Sequence, residues 1–237
     1  MVPMRTSTVM TTSAHNAGAR MRLLQLVSPS LPIGAFTYSQ GLEWAVENGW
    51  VGNAEELADW LGDALRTGIC HLEVPLFRRL YEAYAAESLP TAAGWIQYLL
   101  ASRETAELRQ EELQRGRAFA RLIPELGCEP GPETTLQLRQ TQLAGFAWLI
   151  NLWDIEPRQA IEAYTWSWLE NLTLAGVKLI PLGQTDGQKI ILRLGDEVAR
   201  AVHNGLALED EEIGFSCTAL AIASSLHQTQ YTRLYRS

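Results

Sequence analysis

Asn53-Ala-Glu-Glu-Leu57-Ala-Asp-Trp60-Leu61-Gly-Asp-Ala64-Leu65-Arg-Thr-Gly-Ile69 is the stretch that decides the fold class. Leu57, Trp60, Leu61, Ala64, Leu65 and Ile69 recur at helical spacing and make one apolar stripe, with charges on the other face. Asn53 with Glu56 three residues later supplies an N-terminal cap. A second helix opens on Pro157, whose missing N–H does no harm at a first helical position, and its stripe runs Ile161, Tyr164, Thr165, Trp168, Leu169, Leu172, Gly176 towards Pro181. Working outward, helices are predicted near 39–48, 75–87, 91–101, 103–122, 134–153, 187–203 and 215–226. Strand alternation is scarce, and turn signals at Asn48-Gly49, Pro130-Gly131-Pro132, Gly183 and Gly205 separate helix-length blocks. The expectation is one all-α domain of eight to ten helices over 21–226, with 127–133 as a loop inside it.

The ends differ from the body. Residues 1–20 are rich in Ser, Thr, Ala and Met without periodicity and read as a flexible leader, with patterning from Met21. Residues 227–237 form a separate C-terminal tail. The net charge of the 237 residues is −8, yet both ends are basic, and the 14 basic and 27 acidic residues between 23 and 226 give −13. A body so acidic lacks the cationic footprint that nucleic acid requires. Cys70, Cys128 and Cys217 are too dispersed for a disulfide framework or a zinc site and read as reduced thiols of a cytoplasmic protein. The most apolar windows, 143–153 and 213–226, fall short of the roughly 20 residues of a membrane span.

Catalytic motifs are missing. Gly183-Gln-Thr-Asp-Gly-Gln-Lys189-Ile190 approaches a phosphate-binding loop but departs in spacing and lacks the hydroxyl, so it reads as a bend before a helix. Cys70 and His71 are adjacent, hence about 100° apart on a helix, and cannot share a proton; a helix end is the simpler account. The four histidines have no metal-binding spacing, and Gly-x-Ser-x-Gly is absent. The run from Arg103 to Arg117 offers the i,i+4 pairs Arg103/Glu107 and Glu111/Arg115, the pattern of a solvated face, and mid-helix Gly116 calls for close packing by another backbone.

Two segments carry the functional signal. In Leu23 to Glu43, two prolines and a glycine among apolar residues make a rigid elbow expected to display Phe36 and Tyr38. In His227-Gln-Thr-Gln-Tyr-Thr-Arg-Leu-Tyr-Arg-Ser237, aromatic and basic residues alternate at an end that would otherwise fray; such residues are enriched at binding hot spots, which favours a partner over an intramolecular clamp.

From about Leu23 to Ser237 the chain resembles the UreF family of urease accessory proteins. The marks are the Ser28-Pro-Ser-Leu-Pro-Ile-Gly34 elbow leading to Gly41-Leu-Glu43; Arg103-Glu-Thr105 with Glu107-Leu-Arg109; Ala175 to Gln184 with Gly187-Gln188; and the tail itself. Thr37 departs from the family's usual Ser, and Gln228 from its usual Glu. The resemblance implies a non-catalytic, all-α homodimer without a cofactor or metal site of its own. It would bind the UreD/UreH accessory protein, join the urease apoprotein through it, and recruit the GTPase UreG while nickel enters the active site and a urease lysine is carbamylated. Partner binding is expected at His227, Gln230, Tyr231, Arg233, Leu234, Tyr235, Arg236 and Ser237, with Tyr231, Leu234 and Tyr235 as anchors. The dimer elbow or GTPase-recruitment surface is expected at Pro32, Gly34, Phe36, Tyr38 and Lys178. Two other readings remain at this stage: an activator that inserts Arg233 or Arg236 into the GTPase, and a helical enzyme of unrecognised type.

Overall fold

The computed structural model describes residues 8–215 and 217–237, with no statement on side chains before residue 17. The described residues are helical, without strands: α1 Thr8–Leu26, α2 Leu42–Glu47, α3 Ala54–Ala64, α4 Val74–Ala85, α5 Leu89–Ala101, α6 Ala106–Glu125, α7 Pro132–Leu138, α8 Gln142–Leu152, α9 Pro157–Leu179, α10 Gln184–Ala207 and α11 Thr218–His227. The all-α reading holds. Helix α1 reaches back to Thr8, ahead of the expected start at Met21, with no proline between Thr8 and Arg20 to interrupt it. Part of the leader, 1–7, lies outside the described residues.

Asn53 caps α3 as expected, its side chain accepting from Glu55 N and Glu56 N at 3.0 Å. The helix does not stop near Ile69. It continues through a π-helical segment, Leu65–Glu73, straight into α4, so Cys70 and His71 lie inside a helical rod rather than at an end. Pro75 accounts for the change of register. It has no N–H to give the carbonyl four residues back, at His71, and that carbonyl instead accepts Gly214 N–H at 2.8 Å. Gly205, expected in a turn, sits inside α10, where a Cβ would lie 2.5 Å from the Cys70 carbonyl oxygen. It is a packing glycine that lets α10 lie on the rod.

The helix expected over 134–153 is two, α7 and α8, divided at Arg139–Thr141. Thr141 caps α8 by accepting Leu143 N at 3.1 Å. At this break the expected close approach occurs: a Cβ on Gly116 would stand 2.5 Å from Thr141 N. Helix α8 is buried on nearly every side and packs on α4 and α6. Its Phe146 ring lies 5.8 Å from Phe77 and 5.2 Å from Tyr164, each such buried ring contributing about 1.5–3 kcal/mol. Helix α9 packs along α10, and α11 lies on α2. Gly41, at φ +83°, both turns the chain into α2 and admits α11, since a Cβ would meet Ser224 N at 2.6 Å.

Candidate functional site

The run read as a solvated face is a buried charge lattice instead. Arg103 precedes α6, whose cap is Thr105, so it cannot pair with Glu107 at helical spacing. Its guanidinium donates to Glu73 Oε1 at 2.8 Å and, through Nε and Nη2, to Glu112 Oε2 at 3.0 and 2.6 Å. Tyr164 OH donates to the other Glu73 oxygen at 3.2 Å, and Thr141 Oγ1 to the other Glu112 oxygen at 2.5 Å. The pair Glu111/Arg115 does form, at 2.8 Å, but with both side chains largely buried; Arg115 also donates to Gln142.

Burial alone would push the Glu112 carboxyl up, but the Arg103 and Arg115 guanidiniums, with the Thr141 hydrogen bond, hold it below the ordinary carboxylate value. Burial likewise opposes the charge on Arg103, and the Glu112 and Glu73 carboxylates raise its affinity for the proton in spite of that. The Tyr164 hydroxyl is pushed well up, first by burial and then by Glu73. With every carboxylate matched to donors, the lattice fixes positions rather than holding a group ready for proton transfer.

The elbow and the tail attach to this lattice. Gln40, at φ +53°, is held in that conformation by donating to Glu111 Oε1 and accepting from Trp168 Nε1, both at 3.0 Å. Tyr38 is buried, its OH donating to Gln114 Oε1 at 2.7 Å. The elbow therefore displays Phe36, 62% exposed, and conceals Tyr38. Beside it the tail runs as a short paired segment: Ser39 N donates to the Ser237 carbonyl and Arg236 N to the Thr37 carbonyl, each at 2.8 Å. Ser39 Oγ also donates to the Ser237 carbonyl, at 2.5 Å, and Ser237 Oγ to Glu111 Oε2, at 3.0 Å.

Glu43, on α2, is the second anchor. One oxygen accepts Leu234 N at 2.6 Å; the other accepts Tyr235 N at 2.9 Å and faces His227 Nε2 at 3.1 Å. The other ring nitrogen of His227 lies 2.7 Å from Glu107, which also accepts Arg233 Nη1 at 2.7 Å. Gln230 donates to Glu47 and to the Thr232 carbonyl. Thus His227, Tyr235 and Ser237 are buried, while the Tyr231 side chain is fully exposed and that of Leu234 77% exposed. The main chain of Leu234 is gripped as its side chain points away. Ile222 and Leu226 on α11 are exposed as well. Among the described residues no group of His, Cys, Asp and Glu is arranged to hold a metal ion, and no helix is long and apolar enough to cross a membrane.

The sequence profile of the UreF family matches residues 51–195. Over 228 residues the chain is 50% identical to the urease accessory protein UreF of Alcanivorax borkumensis, a match that covers 94% of this chain and all of that protein. The chain belongs to the UreF family of urease accessory proteins. UreF of Pseudomonas putida strain F1 is 48% identical over 221 residues, covering 92% of this chain and 98% of that one. UreF of Alkalilimnicola ehrlichii is 44% identical over 232 residues, covering 96% and 100%.

The residues of the UreF motifs meet in space unevenly. Elbow, Glu43, Arg103-to-Arg109 segment and tail form one connected assembly. Pro32 and Gly34 border a groove between the elbow and α6. Lys178 lies outside the assembly, exposed near the C-terminal end of α9, seven residues and so two turns beyond Asn171, which donates to the Ala35 carbonyl of the elbow at 3.0 Å. The expectations for this region had no place for Glu43, Glu73, Glu107, Glu111 or Glu112 as structural anchors. For Glu112 the available signal was its place on the Leu108, Gly116, Phe119 stripe of α6, where a carboxylate needs matched partners; Glu43 and Glu73 carried no such mark.

Proposed function

We propose that this UreF-family chain is a non-catalytic scaffold of urease nickel-centre assembly, which docks a UreD/UreH-type accessory protein through its tail and so joins the urease apoprotein. One observation carries the reading: Glu43 and Glu107 grip His227, Arg233 and the main chain of Leu234 and Tyr235, while Tyr231 and Leu234 project outward. Large side chains carried on a main chain that is already docked spare the partner interface the cost of ordering that main chain. Ile222 and Leu226 extend the same kind of surface along α11. Phe36, held outward on the elbow, serves a homodimer contact or the recruitment of a UreG-type GTPase, with Lys178 as a cationic contribution on the α9 end.

The test is co-purification of the chain with its UreD/UreH partner, wild type against Tyr231→Ala/Leu234→Ala. Both side chains are exposed, so thermal stability should stay within about 2–4 °C of wild type. Affinity should fall by two orders of magnitude or so, since hot-spot truncations cost about 1–2 kcal/mol or more each. Capture of the partner at full stoichiometry and unchanged affinity would remove the tail from the interface.

A further inference from the structure

On the flank of α6 that meets the elbow, three arginines surround one open groove of about 420 Å³. Arg117 and Arg121, four residues apart, project from one face of α6. Arg236 reaches the groove from the tail, positioned by its own N–H bond to the Thr37 carbonyl and by a 3.3 Å contact from Nη1 to Gln114 Oε1. Pro32 and Gly34 form the elbow wall, and the lining contains neither Asp nor Glu.

Arg109 donates to main-chain carbonyls, but several other arginines find carboxylates: Arg66 with Asp63, Arg79 with Asp210, Arg193 with Asp59 and Arg200 with Glu197. With 27 acidic residues against 19 basic ones, that is the expected outcome. Arg117, Arg121 and Arg236 are all exposed, and none forms an ion pair with a carboxylate among the described residues. Like charges at i,i+4 destabilise a helix by about 0.2–0.5 kcal/mol, so Arg117 and Arg121 oppose folding slightly. Complementary charge from outside would reverse that sign.

We propose that this groove docks a carboxylate-rich segment of a partner protein. Guanidinium groups match carboxylates with two parallel hydrogen bonds each. Arg117 and Arg121 are about 6 Å apart along the axis, with Arg236 entering from a separate element. That distribution suits several carboxylates spread along a chain better than one compact anion. The groove does not include Tyr231 or Leu234, so this inference stands apart from the docking role of those side chains.

The test uses the full chain and a fluorescein-labelled hexaglutamate peptide, read by anisotropy at low salt. Binding is expected, despite the net charge of −8, and it should weaken about tenfold or more when the ionic strength is raised past the range where exposed pairs are screened. Arg117→Glu/Arg121→Glu should abolish it, whereas Arg193→Glu/Arg200→Glu, which removes the same charge from α10, should leave at least as much binding as the loss of charge alone allows. If the α6 double variant fails to fold, Arg236→Gln gives the same readout from an exposed side chain. Absence of binding at low salt, or equal loss in both double variants, overturns the proposal. So does displacement of the peptide by an equal concentration of inorganic phosphate, which marks a single-anion site. A dimer that the α6 substitutions dissociate, without peptide binding by wild type, assigns the groove to a second copy of the chain and overturns it as well. Lost peptide binding with the UreD/UreH partner still captured separates failure here from failure of the tail reading.

Discussion

Replacing Glu43 with Gln keeps the shape of the side chain and removes its charge, which makes it the sharpest probe of how the tail is held. The carboxylate offers one oxygen to Leu234 N at 2.6 Å and the other to Tyr235 N and His227 Nε2 at 2.9 and 3.1 Å. An amide can present an acceptor to one side only; its NH2 then faces a main-chain donor. A hydrogen bond to a charged group contributes about 1.5–3 kcal/mol, and a buried donor left without an acceptor costs about 1–3 kcal/mol. The expected destabilisation is therefore about 2–4 kcal/mol while the tail stays in place. The tail also has an escape: it can detach and let water satisfy Leu234 and Tyr235. The measured loss is then capped at the docking free energy of the tail itself. Two assays separate these cases. Urea and thermal unfolding report the total, with about 2–4 °C in Tm for each kcal/mol in a chain of this size, so about 5–15 °C. Trypsin cleavage after Arg233 and Arg236 reports detachment and should accelerate about tenfold or more in the variant. Wild-type Tm together with wild-type cleavage rates would refute the role given to Glu43.

Two further outcomes follow from the lattice and the helix joint. Glu112 has its carboxyl held below the ordinary value of about 4.3, so its stabilisation is complete above that value and disappears as pH falls through its lower, folded-state value; unfolding midpoints between pH 7 and pH 3 should drop more steeply for wild type than for Glu112→Gln, and parallel curves would contradict this. Gly116→Ala gains about 1 kcal/mol of helix propensity but drives a Cβ to 2.5 Å from Thr141 N. It should lose about 1–3 kcal/mol net by urea denaturation, and a stabilised variant would show that α6 and α8 are not in backbone contact.

The sequence revealed the helices wherever one face was apolar and the other charged. Ala54–Ala64, with its Asn53 cap, was legible for that reason, and Pro157–Leu179 was legible from Pro157 at its start and the helical spacing of its apolar stripe. It failed where the contrast vanished: α8 is buried nearly all round, so the break at Arg139–Thr141 left no mark in periodicity. The rod through Leu65–Glu73 was hidden by Pro75, which reads as a helix start and in fact changes the register of a continuing helix. Gly205 reads as a turn and is a packing contact. The Arg103–Arg117 run misled for a deeper reason. Its i,i+4 spacing is compatible with exposed pairs, and its actual partners, Glu73, Thr141, Tyr164 and Ser237, are distant in sequence. Composition marked the tail as adhesive, but only the fold reveals that Glu43, Glu107 and Glu111 already occupy much of it and leave Tyr231 and Leu234 outward.

That prior occupation is the centre of the account, and amide hydrogen exchange on the isolated full chain tests it most directly. The reporters are Ser39, Leu234, Tyr235 and Arg236, whose N–H groups donate to the Ser237 carbonyl, Glu43, Glu43 and the Thr37 carbonyl. With no partner present, the account predicts exchange at these four amides slowed about a hundredfold or more relative to an unstructured peptide, the signature of a segment docked by about 3 kcal/mol. Exchange at the free-peptide rate would contradict it: the tail would then be loose until a partner ordered it, and Tyr231 and Leu234 would not be presented in advance.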